Sequence, residues 1–169
     1  EREIETIAKL LADFHSKAKT GEGVDEYGSI AQITRNWVQN FEQTRKMRGT
    51  VVEPFIYDFI EKNIMSYIGR NKEMLEDRTV GNWIRECHGD VHSGNIFILK
   101  DRAEIYIFDA IEFNPAFSCS DIVAEIAFLV MDLEFHNKHE LAKYFVKCYS
   151  QATKDLSLYK LLPFYKCYR

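Results

Sequence analysis

No uninterrupted apolar run in these 169 residues approaches the roughly 18 to 20 that a membrane span requires. A basic excess is also missing. The net charge is −4 at pH 7, without the footprint of a nucleic-acid binder or the polybasic patch of a membrane-surface protein. Cysteine is scarce: Cys87, Cys119, Cys148 and Cys167 form no C-x-x-C pair. That spacing resembles no zinc framework, and four are too few for a disulfide-rich scaffold. Reduced thiols in a cytoplasmic protein are the expectation. The charged start, Glu1, Arg2 and Glu3, lacks a signal-peptide pattern. There is no internal repeat and no low-complexity segment. Neither nucleic acid nor membrane is expected as a partner.

What is present argues for a packed body. Hydrophobic residues make up 46% and aromatic residues 14%, which fits one domain with a real core. The helical pattern is already running at Glu1, and the chain stops inside the apolar stretch Leu161 to Arg169. A piece of a longer protein is therefore expected.

Most of the chain reads as helix. Ile4, Ile7, Leu11 and Phe14 form a stripe over residues 3–18, with His15 as a packed helix residue. A second helix is expected over 29–46, with Ile30, Ile33, Trp37 and Phe41 on one face. A third is expected to begin at Thr50, which has capping-box spacing to Glu53, with Pro54 in the first turn. Its stripe would be Phe55, Phe59, Ile60, Ile64, Tyr67 and Ile68. Gly69 would interrupt it, with helix resuming to about Arg78, and the charged residues of 70–78 would form a solvated face. Asn114 and Pro115 would start a loop. A helix capped by Ser120 or Asp121 should then run to Glu134, apolar all round and so buried all round. Residues 138–152 and 157–168 give two more amphipathic helices.

Between these helices lies a different stretch. Residues 83–87 predict a short strand, and 96–99 and 104–108 predict a β-hairpin turning at Lys100 to Ala103. The polar loop 88–95 holds His88, Asp90, His92 and Asn95, and Asp109 ends the hairpin. A hairpin returns its second strand to where the first began, which brings Asp109 beside Asn95. A carboxylate and an amide oxygen that close suit a hard cation such as magnesium. Asp90 would then face a metal-bound substrate and accept its proton. Phosphoryl transfer asks little more of one side of a cleft.

The run from His88 to Asn95, His-Gly-Asp-Val-His-Ser-Gly-Asn, resembles the H-G-D-x-x-x-x-N catalytic loop of aminoglycoside phosphotransferases and choline kinases. Those enzymes are protein-kinase-like. Asp109, 14 residues after Asn95, is similar to their second magnesium-binding aspartate. Cys87 to Ile96 and Phe108 to Asn114 look closest to an uncharacterised bacterial branch, often fused to a P-loop ATP-binding domain. The likeness extends to Asp121–Leu129 and, loosely, to Leu10–His15.

The resemblance implies the mainly α C-terminal lobe of a kinase-like fold with a small β-hairpin element. It implies an ATP- and Mg²⁺-dependent phosphotransferase acting on a hydroxyl of a small molecule. Asp90 would be the catalytic base, and Asn95 and Asp109 the Mg²⁺ ligands. His88 would brace the loop, and Asp121 would hydrogen-bond it from the start of the buried helix. His92 is either a solvent-facing loop residue or a substrate contact. Glu112 is either a further metal or substrate carboxylate or a surface residue.

The kinase pattern is incomplete. No Gly-rich loop follows Gly21-Glu22-Gly23, no strand lysine stands out, and no G-x-x-x-x-G-K-[ST] occurs. The position of the D-F-G phenylalanine is Ala110. The missing N-terminal lobe would make this chain inactive alone. Two other readings stand beside the kinase one. A degenerate, pseudokinase-like lobe would bind a partner or regulate a fused domain. A metal-dependent hydrolase would use His88-x-Asp90-x-His92, but the remaining histidines, His15, His136 and His139, lie in helical segments. Cys87 is expected to be buried at its strand end. Asp132 and Glu134 would attract a cationic substrate or, more plainly, solvate a helix end.

Overall fold

The computed structural model describes residues 1–99, 101, 102 and 104–169. Over these residues the protein is mainly helical with two small antiparallel sheets. Helix α1 (Arg2–Lys17) packs along α7 (His139–Thr153), and α6 (Ile122–Phe135) lies against both α7 and α8 (Leu158–Tyr168). As its composition requires, α6 is the central post: Ile122 to Ala127, Leu129, Val130 and Leu133 are all buried. Each buried Ile, Val and Leu among them contributes roughly 1.5–3 kcal/mol by leaving water. Asp121 caps α6 by accepting the Val123 N–H at 2.8 Å. Among the described residues, no helix is long and apolar enough to cross a membrane.

On the other side of the core, α2 (Ile30–Thr44) buries Ile33, Trp37 and Phe41, and Ser29 caps it by accepting the Gln32 N–H. Helix α3 (Pro54–Arg70) corrects two expectations. Thr50 does not cap it; its hydroxyl donates to the Lys46 carbonyl at 3.0 Å. Residues 47–52 instead close a tight turn, with Gly49 N–H to Val52 O at 2.7 Å and Gly49 at φ 80°. The buried face of α3 is Tyr57, Ile64 and Ile68, while Phe55 and Phe59 are 72% and 66% exposed. Tyr57 selects that face, because its hydroxyl donates to the Phe41 carbonyl on α2.

Gly69 does not end α3; the break falls at Asn71, and α4 (Lys72–Val80) follows. The solvated face expected over 70–78 fails at Arg78, which is 2% exposed. Its guanidinium makes a two-pronged pair with Asp121 at 2.7 and 2.8 Å and a third bond to Asp155 at 2.7 Å. Burial alone would lower the Arg78 pKa, but Asp121 and then Asp155 outweigh it and hold it above its ordinary value.

Strand β1 (Ile84–Glu86) pairs antiparallel with β4 (Cys119–Asp121), Ile84 opposite Asp121 and Glu86 opposite Cys119. Residues 115–118, expected as loop, form the short helix α5 (Pro115–Ser118), capped by Asn114. The β1–β4 pair sets the loop after β1 beside the start of α6. Strands β2 (Ile96–Leu99) and β3 (Glu104–Ile107) form the expected hairpin, Ile96 opposite Ile107. Lys100 and Ala103 of the predicted turn lie outside the described residues. Ile96, Ile105 and Ile107 pack on the body, whereas Phe97, Leu99, Tyr106 and Phe108 are 43–52% exposed.

Candidate active site

Loop 88–95 runs alongside α6, which holds it near both of its ends. Gly89 sits at φ 86°, where a Cβ would come within 2.9 Å of the Phe117 carbonyl, so only glycine fits. Its N–H donates to Glu125 Oε1 at 2.6 Å. Glu125 is fully buried, and its other oxygen meets His15 Nε2 at 2.5 Å. His15 Nδ1 in turn meets the Tyr149 hydroxyl at 2.6 Å. Three helices thus converge, through one buried hydrogen-bonded chain, on the amide just before Asp90. Further along, Asp132 Oδ2 accepts the Ser93 N–H at 2.8 Å. Partial burial opposes ionisation of Asp132, but the Ser93 bonds, with His136 and His92 nearby, outweigh it and keep the carboxyl below its usual range.

The expected residues are placed as follows. His88 is buried, and its Nδ1 accepts the Asp90 N–H at 3.3 Å. Among the described residues its Nε2 has no partner. Asp90 is half-buried and receives two bonds from Asn95 Nδ2, at 3.0 Å to its carbonyl and 3.1 Å to its carboxylate. With Nδ2 so committed, the Asn95 side-chain oxygen carries no hydrogen bond among the described residues. The Phe108 N–H donates to the Asn95 carbonyl at 2.9 Å, which brings the end of the hairpin back to the loop. Asn95 and Asp109 consequently line one open depression of about 610 Å³, floored by Phe97, Leu99, Tyr106 and Phe108. Asp109 is exposed and adopts φ 67°, a left-handed conformation that aspartate tolerates but that concentrates at functional sites.

Asp90 and Gly89 line a second cavity of about 240 Å³, on the side of the loop facing α2 and α8. His92 Nε2 lies 3.6 Å from Asp90 Oδ2, and its ring packs on Phe128 with centroids 5.5 Å apart. His92 Nδ1 also accepts the Gly94 N–H. Glu112 is exposed, and among the described residues it makes no ion pair or hydrogen bond.

One expected contact is corrected. Asp121 does not hydrogen-bond the loop; its carboxylate is committed to Arg78 and to the Val123 amide. The loop is anchored by Glu125, one turn further along α6. Asp132 likewise serves the loop instead of solvating a helix end, and Glu134 pairs with Lys166. Glu125 was legible in principle, since a lone carboxylate in an otherwise apolar, fully buried helix needs an internal partner. Arg78 carried a weaker signal, since only Met74 and Leu75, one turn before it, mark its face of α4 as turned inward.

For transition-metal chemistry, the one close group of three donors among the described residues is His15, Cys87 and Glu125. It is wholly buried, and His15 and Glu125 are already hydrogen-bonded to each other. Burial, and then the nearby Glu125, push the Cys87 thiol well above its ordinary pKa, so it is no thiolate ligand as it stands. All four cysteines are free.

Along its whole length the chain is 28% identical to uncharacterised proteins of Mycobacterium tuberculosis, in two strains, and of Mycobacterium bovis. It spans 34% of the length of these relatives, about a third. No family model matches the chain, and no solved structure does.

Proposed function

We propose that this chain is the catalytic-loop lobe of a protein-kinase-like phosphotransferase, similar to aminoglycoside phosphotransferases and choline kinases. It moves a phosphoryl group from ATP to a hydroxyl of a small molecule with Mg²⁺ present. The observation that carries this reading is the position of Asn95. Its amide N–H groups hold Asp90, while its side-chain oxygen stays free and it lines one depression with Asp109. An amide oxygen and a carboxylate are hard donors of the kind Mg²⁺ takes alongside phosphate oxygens. Bound there, Mg²⁺ would neutralise charge on the transferring phosphate.

The chain's own residues do the rest. Asp90, oriented by Asn95 and by the loop amides, accepts the proton of the attacking hydroxyl. Glu125 and Asp132 fix the loop that carries it. The apolar hairpin face beside Asn95 and Asp109 suits a nucleotide base. The phosphate-cradling lobe lies elsewhere in a longer cytoplasmic polypeptide, with a fused P-loop domain as a further partner. The 34% coverage of the relatives is in keeping with this.

The test is ATP turnover by the full-length protein against its Asp90→Ala variant, each with Mg²⁺. A loss of at least two orders of magnitude is expected on removing the base. Equal rates would sink the catalytic role and favour a pseudokinase-like regulatory module.

A further inference from the structure

The cavity of about 240 Å³ beside Asp90 carries information about the acceptor. Its volume lies below the roughly 300 Å³ at which pockets for drug-sized ligands begin. One ring fills it; a chain of three linked rings would leave two of them outside its walls. Its charge is equally restrictive. Among the described residues, the carboxylates lining it are Asp90 and Asp121. Asp121 is committed to the Arg78 guanidinium at 2.7 and 2.8 Å. Arg169 adds a positive charge at the rim, its guanidinium 4.9 Å over the Phe128 ring and 3.5 Å from the Gly89 carbonyl. A polyamine or aminoglycoside needs several unpaired carboxylates, and here Asp90 would stand alone against it.

The walls point to hydroxyl groups. Tyr165 lines the cavity and is 7% exposed, yet no hydrogen bond among the described residues reaches its hydroxyl. The ring is buried while the hydroxyl stays open to the cavity, where a ligand group can meet it. Asn36, also in the lining, accepts from Gln32 at 2.8 Å and keeps its own N–H groups free among the described residues. Tyr27 and Phe117 add aromatic surface. Neutral donors and acceptors above an aromatic wall match a polyhydroxylated ring, whose faces are apolar and whose edge is all hydroxyl.

We propose that this cavity is the acceptor site and that its substrate is an uncharged, single-ring polyol of monosaccharide or cyclitol size. This rests on the phosphotransferase reading above. One ring hydroxyl lies against Asp90, and a second pairs with Tyr165 and Asn36. Attack of the first hydroxyl oxygen on the γ-phosphorus forms the new P–O bond as the bond to ADP breaks. The hydroxyl proton passes to Asp90.

The experiment is ADP release by the full-length protein with Mg-ATP, using a panel of neutral hexoses, pentoses and inositols beside kanamycin and choline. Mg-ATP binding is measured separately by calorimetry. The expected result is turnover with a neutral ring and none with kanamycin or choline. Tyr165→Phe should raise the KM for that ring about tenfold, with kcat and the KM for ATP nearly unchanged, because one hydrogen bond to substrate is lost. Turnover with kanamycin or choline in place of a neutral ring overturns the acceptor class and leaves the kinase reading standing. So does tight Mg-ATP binding with Asp90-dependent hydrolysis that no neutral ring stimulates. An unchanged KM in Tyr165→Phe removes the cavity from the acceptor site. Absence of Mg-ATP binding defeats the underlying reading and the inference with it.

Discussion

Single residues divide here into those that would do chemistry and those that hold them in place. Asp109 belongs to the first group, and its left-handed backbone is one that asparagine also tolerates. Asp109→Asn should therefore melt like the parent chain yet cut Mg²⁺-dependent ATP turnover of the full-length protein by about 10²- to 10³-fold. Thermal melting and turnover, measured on one preparation, separate the two effects. Glu125 belongs to the second group. Glu125→Leu would orphan both the Gly89 amide and Nε2 of His15, at about 1–3 kcal/mol for each buried group. Glu125→Gln, which still offers Gly89 an acceptor, should lose less in urea unfolding. Asp132 gives a pH dependence. Its folded pKa is held below the unfolded value of about 3.9. It therefore contributes stability above that pH and loses it as pH falls through the lower folded value. The melting difference between the parent chain and Asp132→Asn should be greatest near neutrality and vanish in acid.

Among the elements, α4 is the one whose role changed most between sequence and structure. Its surface is charged, and its one buried cation, Arg78, ties it to the start of α6 and to the turn before α8. Removing one partner of a buried ion pair leaves an uncompensated charge. Arg78→Met should accordingly cost about 3–5 kcal/mol in denaturant unfolding. Lys72→Ala, on the exposed part of α4, should stay within about 0.5 kcal/mol. Periodicity revealed α1, α2, α6, α7 and α8 close to their observed bounds, because each buries a continuous stripe. It mistook the buried face of α3, where Phe55 and Phe59 are as apolar as their buried neighbours. There the choice of face was made by Tyr57 and its hydrogen bond to α2, which no local pattern encodes. Strand β4 and short α5 escaped for a similar reason. Three or four residues are too few to show a period, and β4 exists only because β1 is there to pair with it.

At the scale of the molecule, the hairpin leaves an apolar outer face exposed, and on the proposed phosphotransferase reading a second lobe and a nucleotide would close on it. A two-stranded hairpin with one bare apolar face is a weak platform by itself. On that reading, residues 1–169 alone should bind Mg-ATP poorly and turn nothing over, while the full-length protein should bind it and turn it over. Calorimetry on the two proteins checks this, and tight binding to residues 1–169 alone would contradict it. The interior carries its own logic. The helices α1, α6 and α7 meet at a polar chain of His15, Glu125 and Tyr149 inside an otherwise apolar core. That chain ends on the loop bearing Asp90, so the packing of the body and the geometry of the candidate site are one constraint.

That His88, Asp90 and Asn95 share one loop and that Asp109 returns beside Asn95 after the hairpin was legible in the sequence alone, because spacing within one loop and one hairpin is local and leaves few alternatives. The helical character of the rest was settled the same way, through the periodic stripe that each helix must bury. Only the tertiary structure decided which side chains hold the loop and the start of α6. Glu125, Asp132 and Arg78 act across 36, 39 and 43 residues of chain to Gly89, Ser93 and Asp121. A buried charge finds its partner through the packing of whole helices, and sequence separation carries no trace of that meeting.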